Sequence, residues 1–167
     1  MKEKILRNYL EIKSLKDFKE VKKPSEDYSV ELSNPKDFQL NKFFYKTIGK
    51  NCHWVDRLVW TEFDWTKYIS DENLSTYIIK NKDEMVGYFE LLFNKKTKEA
   101  EIAYFGILEE YFGRKIGGYL LSEAIKISFN LGCLRLWVHT SSLDNKNALL
   151  NYQSRGMKIF KSEIIIR

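Results

Sequence analysis

The chain of 167 residues is 44% apolar and 15% aromatic, enough to build one domain, residues 1–167, around a single sizeable core. Its charged residues, 31% of the total, are mixed throughout and interrupted by only two prolines and eight glycines, which excludes a disordered, collagen-like or low-complexity chain. The net charge of +5 divides unevenly, as +4 over residues 1–50, −5 over 51–110 and +6 over 111–167, so an anionic ligand suits the last third and a cationic one the middle.

Tyr9 to Lys13 and Tyr28 to Leu32 read as short strands. Lys36 to Lys50 reads as a helix after the start signal Asn34-Pro35, and Trp65 to Asp71 as a second helix. Ser75 to Asn81 and Met85 to Phe93 are rich in β-branched and aromatic residues around the polar turn Lys82-Asp83-Glu84, which predicts a hairpin. Glu99 to Leu108 predicts a third strand, with Gly106 a bulge or a place of close backbone approach.

From residue 117 the period changes. Leu120, Ala124, Ile127 and Leu131 recur at helical spacing and Gly132 is a good C-cap. Cys133 to Thr140 follows as a strand, Asp144 or Asn145 caps a helix running to about Arg155, and MKIFKSEIIIR closes the chain as a strand. The pattern predicts an α/β (α+β) fold with a mixed central sheet of about six or seven strands and flanking helices.

The N-terminal MKEKILRNYLEIK is too charged for a signal peptide, and no stretch approaches the roughly 20 apolar residues of a bilayer span, so a cytoplasmic protein without membrane contact is expected. Cys52 and Cys133 lack CxxC spacing, so both are expected to be reduced thiols and no metal site is expected.

The chemistry concentrates in Ile107 to Leu121, a strand end, a glycine-containing loop and a helix N-terminus. Unpaired N–H groups and the helix dipole suit a pyrophosphate there, with Gly113, Gly117 and Gly118 allowing close approach and Arg114 and Lys115 adding charge. A tight structural turn is the plain alternative. A P-loop fails, because Tyr119 and Leu120 stand where Lys and Ser/Thr are needed. A dinucleotide fingerprint fails too, because the next strand ends Val138-His139-Thr140 with no acidic residue.

AEIAYFGI, FGRKIGG and the spacing of Asn145, Ala148, Tyr152 and Gly156 together resemble the GNAT superfamily of acyl-CoA-dependent N-acyltransferases over roughly residues 75 to 160. GYFELL, EIAYFGIL and WVHTSSLDNKNALLNYQSRG resemble a bacterial branch with no defined acceptor. The resemblance implies acetyl-CoA as cofactor and a primary amine of a small molecule or protein as acceptor. It implies Glu101 as general base and Tyr152 as general acid. It also implies that the strand through Phe105 to Ile107 splays from its neighbour, so that the pantetheine arm adds to its exposed edge. In the pyrophosphate loop Q/R-x-x-G-x-G/A, Phe112 takes the Gln/Arg position, Lys115 the first glycine position and Gly117 the second small position, with Ile116 between. A frame starting at Arg114 keeps Gly117 and breaks the flanking spacings. A lysine at 115 is accommodated if its φ is negative.

Acyl transfer from a thioester needs a neutral amine, a stabilised oxyanion and a protonated leaving thiolate. Glu101 is a candidate for the first if burial raises its pKa, the Ile107 N–H for the second and Tyr152 for the third. Each has a plain rival: Glu101 as a solvent-facing strand residue with Glu90 as understudy, Tyr152 as a packed ring, Asn145 as a helix cap and His139 as a structural histidine. The segment Cys52 to Trp65 falls where the family builds its acceptor lip, so Trp54, Asp56, Glu90 and His139 are the acceptor candidates, with a packed helix pair the alternative for the tryptophans. From another class, a catalytically silent acyl-CoA-binding regulatory or sensor module remains the alternative. Nucleic acid is the weakest reading, resting on a pI near 9.0 and lysine content. The aromatic first half leaves a homodimer open.

Overall fold

A computed structural model describes residues 2–167. Seven strands form one sheet: β1 (Lys4–Ile12), β2 (Tyr28–Leu32), β3 (Leu74–Asn81), β4 (Glu84–Asn94), β5 (Glu99–Ile107), β6 (Arg135–Ser141) and β7 (Lys158–Ile166). Four helices accompany them: α1 (Phe38–Gly49), α2 (Glu62–Ile69), α3 (Ile116–Asn130) and α4 (Ala148–Ser154). The sheet order is β2-β3-β4-β5-β6-β1-β7, so the mixed α/β sheet expected from the sequence is present.

The elements start and stop for local reasons. Asp37 caps α1 by accepting the Gln39 N–H, so the helix begins after Asn34-Pro35, whose peptide bond is cis, and Pro35 is not its first residue. Thr61 and Asp64 form a reciprocal capping box that starts α2 earlier than Trp65. Gly132 and Gly156 adopt the left-handed backbone that closes α3 and α4. Neither Asp144 nor Asn145 caps α4: the helix starts at Ala148, and Asn145 Oδ1 instead accepts the Asn147 N–H at 2.9 Å.

β1 is longer than the sequence suggests and lies between β6 and β7, antiparallel to both. Glu3 and Arg167 exchange backbone hydrogen bonds of 3.0 and 3.1 Å, so the two ends of the described chain meet beside the sheet. One face of β4 and β5 packs on α1, where Phe44 stacks on Tyr88 at 4.8 Å. Leu120, Leu121, Ala124 and Ile125 of α3 are fully buried in the core against the other face.

The feature that makes the site is a split in this sheet. β5 and β6 are parallel and pair only at Glu99, Ala100 and Glu101, opposite Arg135, Leu136 and Trp137. β5 stays paired with β4 as far as Ile107. Its register shifts between Tyr104 and Ile102, which leaves Ala103 as the extra residue, just past the last pair with β6. A bulge bends and twists its strand, and this one turns β5 away from β6 where the split begins. Gly106 is therefore not the bulge; it is the close approach, since a Cβ there would stand 2.7 Å from Ile48 Cγ2 of α1.

Candidate active site: a cleft between two splayed strands

The split opens into a cleft of about 420 Å³. Its floor is the unpaired edge of β5 from Tyr104 to Ile107, and its far wall is Val138 to Ser141 of β6. An extended ligand can add to such an edge through backbone hydrogen bonds.

At one end, the turn before α3 supplies the anion cradle. Gly113 has φ +78° and Lys115 φ +62°, two left-handed residues that turn the chain into the helix. Lys115 therefore does not take the negative φ that would accommodate a side chain there. The first backbone bond of α3 runs from the Tyr119 N–H to the Lys115 carbonyl at 3.4 Å, and among the described residues the N–H groups of Ile116, Gly117 and Gly118 find no acceptor. Asn151 donates to the Gly117 carbonyl at 3.1 Å and ties α4 to this turn. Phe112, Gly113, Lys115, Ile116, Gly117 and Gly118 all line the cleft. Arg114 does not: its guanidinium lies outside, 5.4 Å from the Tyr111 ring.

Phe105, Ile107, Asn145, Ala148 and Tyr152 line the middle. Tyr152 is 5% exposed, its ring 6.1 Å from Phe105 in an edge-on arrangement, and burial, followed by Asp144 and Cys52, pushes its hydroxyl pKa far up. Asp144 crosses the cleft. It accepts from Trp54 Nε1 at 3.1 Å, Thr140 Oγ1 at 2.7 Å and the Ser141 N–H at 2.8 Å, joining the segment after α1 to the end of β6.

At the other end stand Trp54, Asp56, His139, Arg7, Ile165 and Arg167. Asp56 meets Arg167 at 3.7 Å. Burial lowers the His139 pKa and the neighbouring Arg7 lowers it further, so the imidazole is neutral at pH 7. Glu101 is the last residue of β5 paired with β6, at the apex of the split; it is not one of the cleft-lining residues, and its carboxyl pKa is raised by burial against the opposing pull of Arg57.

Glu90 is placed elsewhere. It is fully buried beneath the cleft, accepting from Arg57 at 3.0 and 3.2 Å, Tyr68 at 2.6 Å and Asn41 at 2.9 Å, with no route to an acceptor. Arg57 is wrapped by the rings of Tyr45, Trp60, Trp65, Tyr68 and Tyr104 at 4.0 to 5.6 Å. Burial works against its charge, yet the Glu90 carboxylate and the tyrosines raise its pKa on balance. Trp65 is a core residue as its packed-helix alternative holds, whereas Trp54 reaches the cleft. Asp144, Asn151, Arg7 and Arg167 are cleft residues that spacing along the sequence does not single out. The aromatic run around Arg57 was the one available signal for its cage.

Among the described residues no group of His, Cys, Asp and Glu is arranged to hold a metal ion, and no helix is long and apolar enough to cross a membrane. Splayed parallel strands and a left-handed turn into a helix with free N–H groups thus set an open backbone edge and an unpaired helix N-terminus side by side in one cleft. The family model described as "Acetyltransferase (GNAT) family" matches residues 38–157, and the chain belongs to that family.

No curated protein matches the chain. Among solved structures, a GCN5-related N-acetyltransferase from Sphaerobacter thermophilus aligns over 97% of this chain and 50% of its own, at 15% identity and a TM-score of 0.73. An aminoglycoside acetyltransferase from an uncultured soil metagenomic sample, in complex with trehalose, aligns over 80% and 90%, at 13% identity and a TM-score of 0.64. A ribosomal-protein alanine N-acetyltransferase from Escherichia coli aligns over 77% and 76%, at 15% identity and a TM-score of 0.58. The chain spans about half the length of the Sphaerobacter protein. At these identities the likeness is one of fold.

Proposed function

We propose that residues 1–167 act as one acyltransferase domain that moves an acetyl group from acetyl-CoA to a primary amine of a small molecule or protein. The observation that carries this reading is the coincidence of a free β5 edge at Tyr104 to Ile107 with unpaired N–H groups at Ile116 to Gly118 in one cleft. A chain with a thioester arm and a pyrophosphate fits both at once. When bound, acetyl-CoA supplies an acetyl thioester. Ile116, Gly117 and Gly118 hold its phosphates through backbone N–H groups, with Lys115 adding charge. The β5 edge orients its arm, and the Ile107 N–H polarises the reacting carbonyl.

Glu101 takes the ammonium proton of the acceptor through a water molecule at the apex of the split, and burial raises its pKa in the direction that makes it a stronger base. Tyr152 holds its proton firmly until a thiolate forms beside it, then donates it. The new bond is carbon to nitrogen and the broken one carbon to sulfur. The ammonium proton passes through Glu101 to solvent; Tyr152 protonates the departing sulfur, and the second proton, shed by nitrogen once the carbon–nitrogen bond has formed, restores Tyr152 through water.

The test is acetyl transfer and free thiol release across a panel of amines, with Tyr152→Phe and Glu101→Gln compared. Each substitution is expected to lower kcat by roughly 100-fold while acetyl-CoA binding is unchanged, the lower end of what positioned acid and base groups contribute. Equal loss of binding and rate, or full activity in both variants, contradicts the assignment. Binding without turnover of any amine points instead to a silent acyl-CoA-binding module. A large loss in His139→Gln with none in Glu101→Gln moves the base to the cleft wall.

A further inference from the structure

The acceptor end of the cleft holds two arginines, Arg7 and Arg167, whose carboxylate partners stand no closer than 3.9 and 3.7 Å. Arg7 sits on β1 opposite Ser141 of β6 and Glu163 of β7, and strand alternation places Ile5, Ile165 and Arg167 on its face of the sheet. Arg7 and Arg167 both line the cleft. The Nε of Arg7 is buried and has no hydrogen-bond partner among the described residues. A buried guanidinium N–H without an acceptor is costly, and an anion is the group that satisfies it best.

The acids nearby do not fill that role. Glu163 is only 3.9 Å from Arg7 Nη1 and is committed to the Tyr9 hydroxyl at 2.6 Å and Lys161 at 3.5 Å. Asp56 faces Arg167 at 3.7 Å and is largely exposed. Asp144 is consumed by Trp54, Thr140 and Ser141. The face between is aromatic, with Tyr9, Trp137 and His139 within 5.5 to 6.5 Å of one another. An anion at this end adds to the cationic amine that the acidic middle segment suggests from sequence and does not replace it.

We propose that the amine acceptor also carries an anionic group, a carboxylate or a phosphate, which the guanidiniums of Arg7 and Arg167 bind at the cleft rim, the Arg7 side chain turning its unpartnered Nε toward it. The proposal rests on the acyltransferase reading and adds the class of acceptor. A guanidinium offers paired donors to either anion, so the two sources share one recognition chemistry.

Two measurements test it. The first needs no turnover: the Arg7 Nε–H resonance, assigned by its disappearance in Arg7→Gln, is followed during titration with acetate and, separately, inorganic phosphate. A saturable shift with either anion is expected, and the stronger of the two identifies the group. No shift with either overturns the proposal, whether or not the protein acetylates amines. The second compares kcat/KM for matched amines that differ only in the anion, L-phenylalanine against its amide and O-phosphoethanolamine against ethanolamine. The anionic member is expected to be favoured at least tenfold in one pair. Arg7→Gln should erase that preference through KM, and Arg7→Lys should restore part of it. Preference for the neutral member in both pairs, or a preference that survives Arg7→Gln, overturns the proposal. Failure of acetyl-CoA to bind at all would instead overturn the reading beneath it.

Discussion

Trp54 Nε1 donates to Asp144 across the mouth of the cleft at 3.1 Å, and this bond fastens the segment after α1 to the loop after β6. The two walls it joins belong to halves of the sheet that part company beyond Glu101 and Trp137. Trp54→Phe keeps the ring and removes the donor, while Asp144 keeps Thr140 and Ser141. A hydrogen bond to a charged group of this kind contributes about 1.5 kcal/mol, so thermal unfolding should fall by roughly 3–6 °C. With the walls untied, KM for the acceptor is expected to rise more than the Kd of acetyl-CoA. A variant with unchanged melting and kinetics would show that the clasp contributes nothing.

Arg57 and Glu90 are 7% and 0% exposed and lie under the aromatic wall formed by Tyr45, Trp54 and Tyr104. Glu90→Ala leaves a buried guanidinium without its carboxylate, a loss of roughly 3–5 kcal/mol and some 6–20 °C in Tm. Replacing both residues with leucine should cost less than the sum of the single changes, because the uncompensated charge is gone. Urea denaturation of the four proteins measures this directly.

Lys115 is a non-glycine residue at φ +62°, at the position where the family pattern places its first glycine. Lys115→Gly relieves the left-handed strain at some entropic cost and is expected to stabilise the fold by about 0.5–1 kcal/mol, whereas Lys115→Ala gains nothing. Denaturant midpoints of the two variants check this without any ligand.

The sequence makes much of this fold legible, because β3 to β6 and α3 are continuous runs with strong period and clear stops at Gly132 and Gly156. The loop reads from the residues of that contiguous half, the β5 edge and Tyr152 are what the family resemblance over it implies, and the structure brings Phe105, Ile107, Gly117 and Tyr152 into one cleft. Glu90 could not be placed from its strand alone. Its role depends on Arg57 and Tyr68, which arrive from a loop and a helix whose signals are weak. Arg7 is invisible for a stronger reason: it reaches the cleft only because β1 inserts between strands more than a hundred residues away.

The lowered pKa of His139 gives stability a defined pH dependence. As pH falls through the ordinary histidine range near 6.5, the unfolded chain takes up this proton before the folded one does. The stabilisation it contributes is therefore present above that range and is lost as pH falls through it toward the folded pKa. Urea titrations between pH 7.5 and 5 should show a steeper fall for the wild type than for His139→Gln. Parallel curves for the two proteins would contradict a buried neutral imidazole.

The central claim is that the cleft binds acyl-CoA, and thermal unfolding with increasing acetyl-CoA tests it most directly. At about 100 times Kd the ligand stabilises by roughly 2.7 kcal/mol, which for a chain of this size is on the order of 5–10 °C. The account predicts a saturable rise of that size, retained in Tyr152→Phe and weakened when Gly117, whose N–H faces the cradle, is replaced by aspartate. An unchanged Tm at millimolar acetyl-CoA would contradict it.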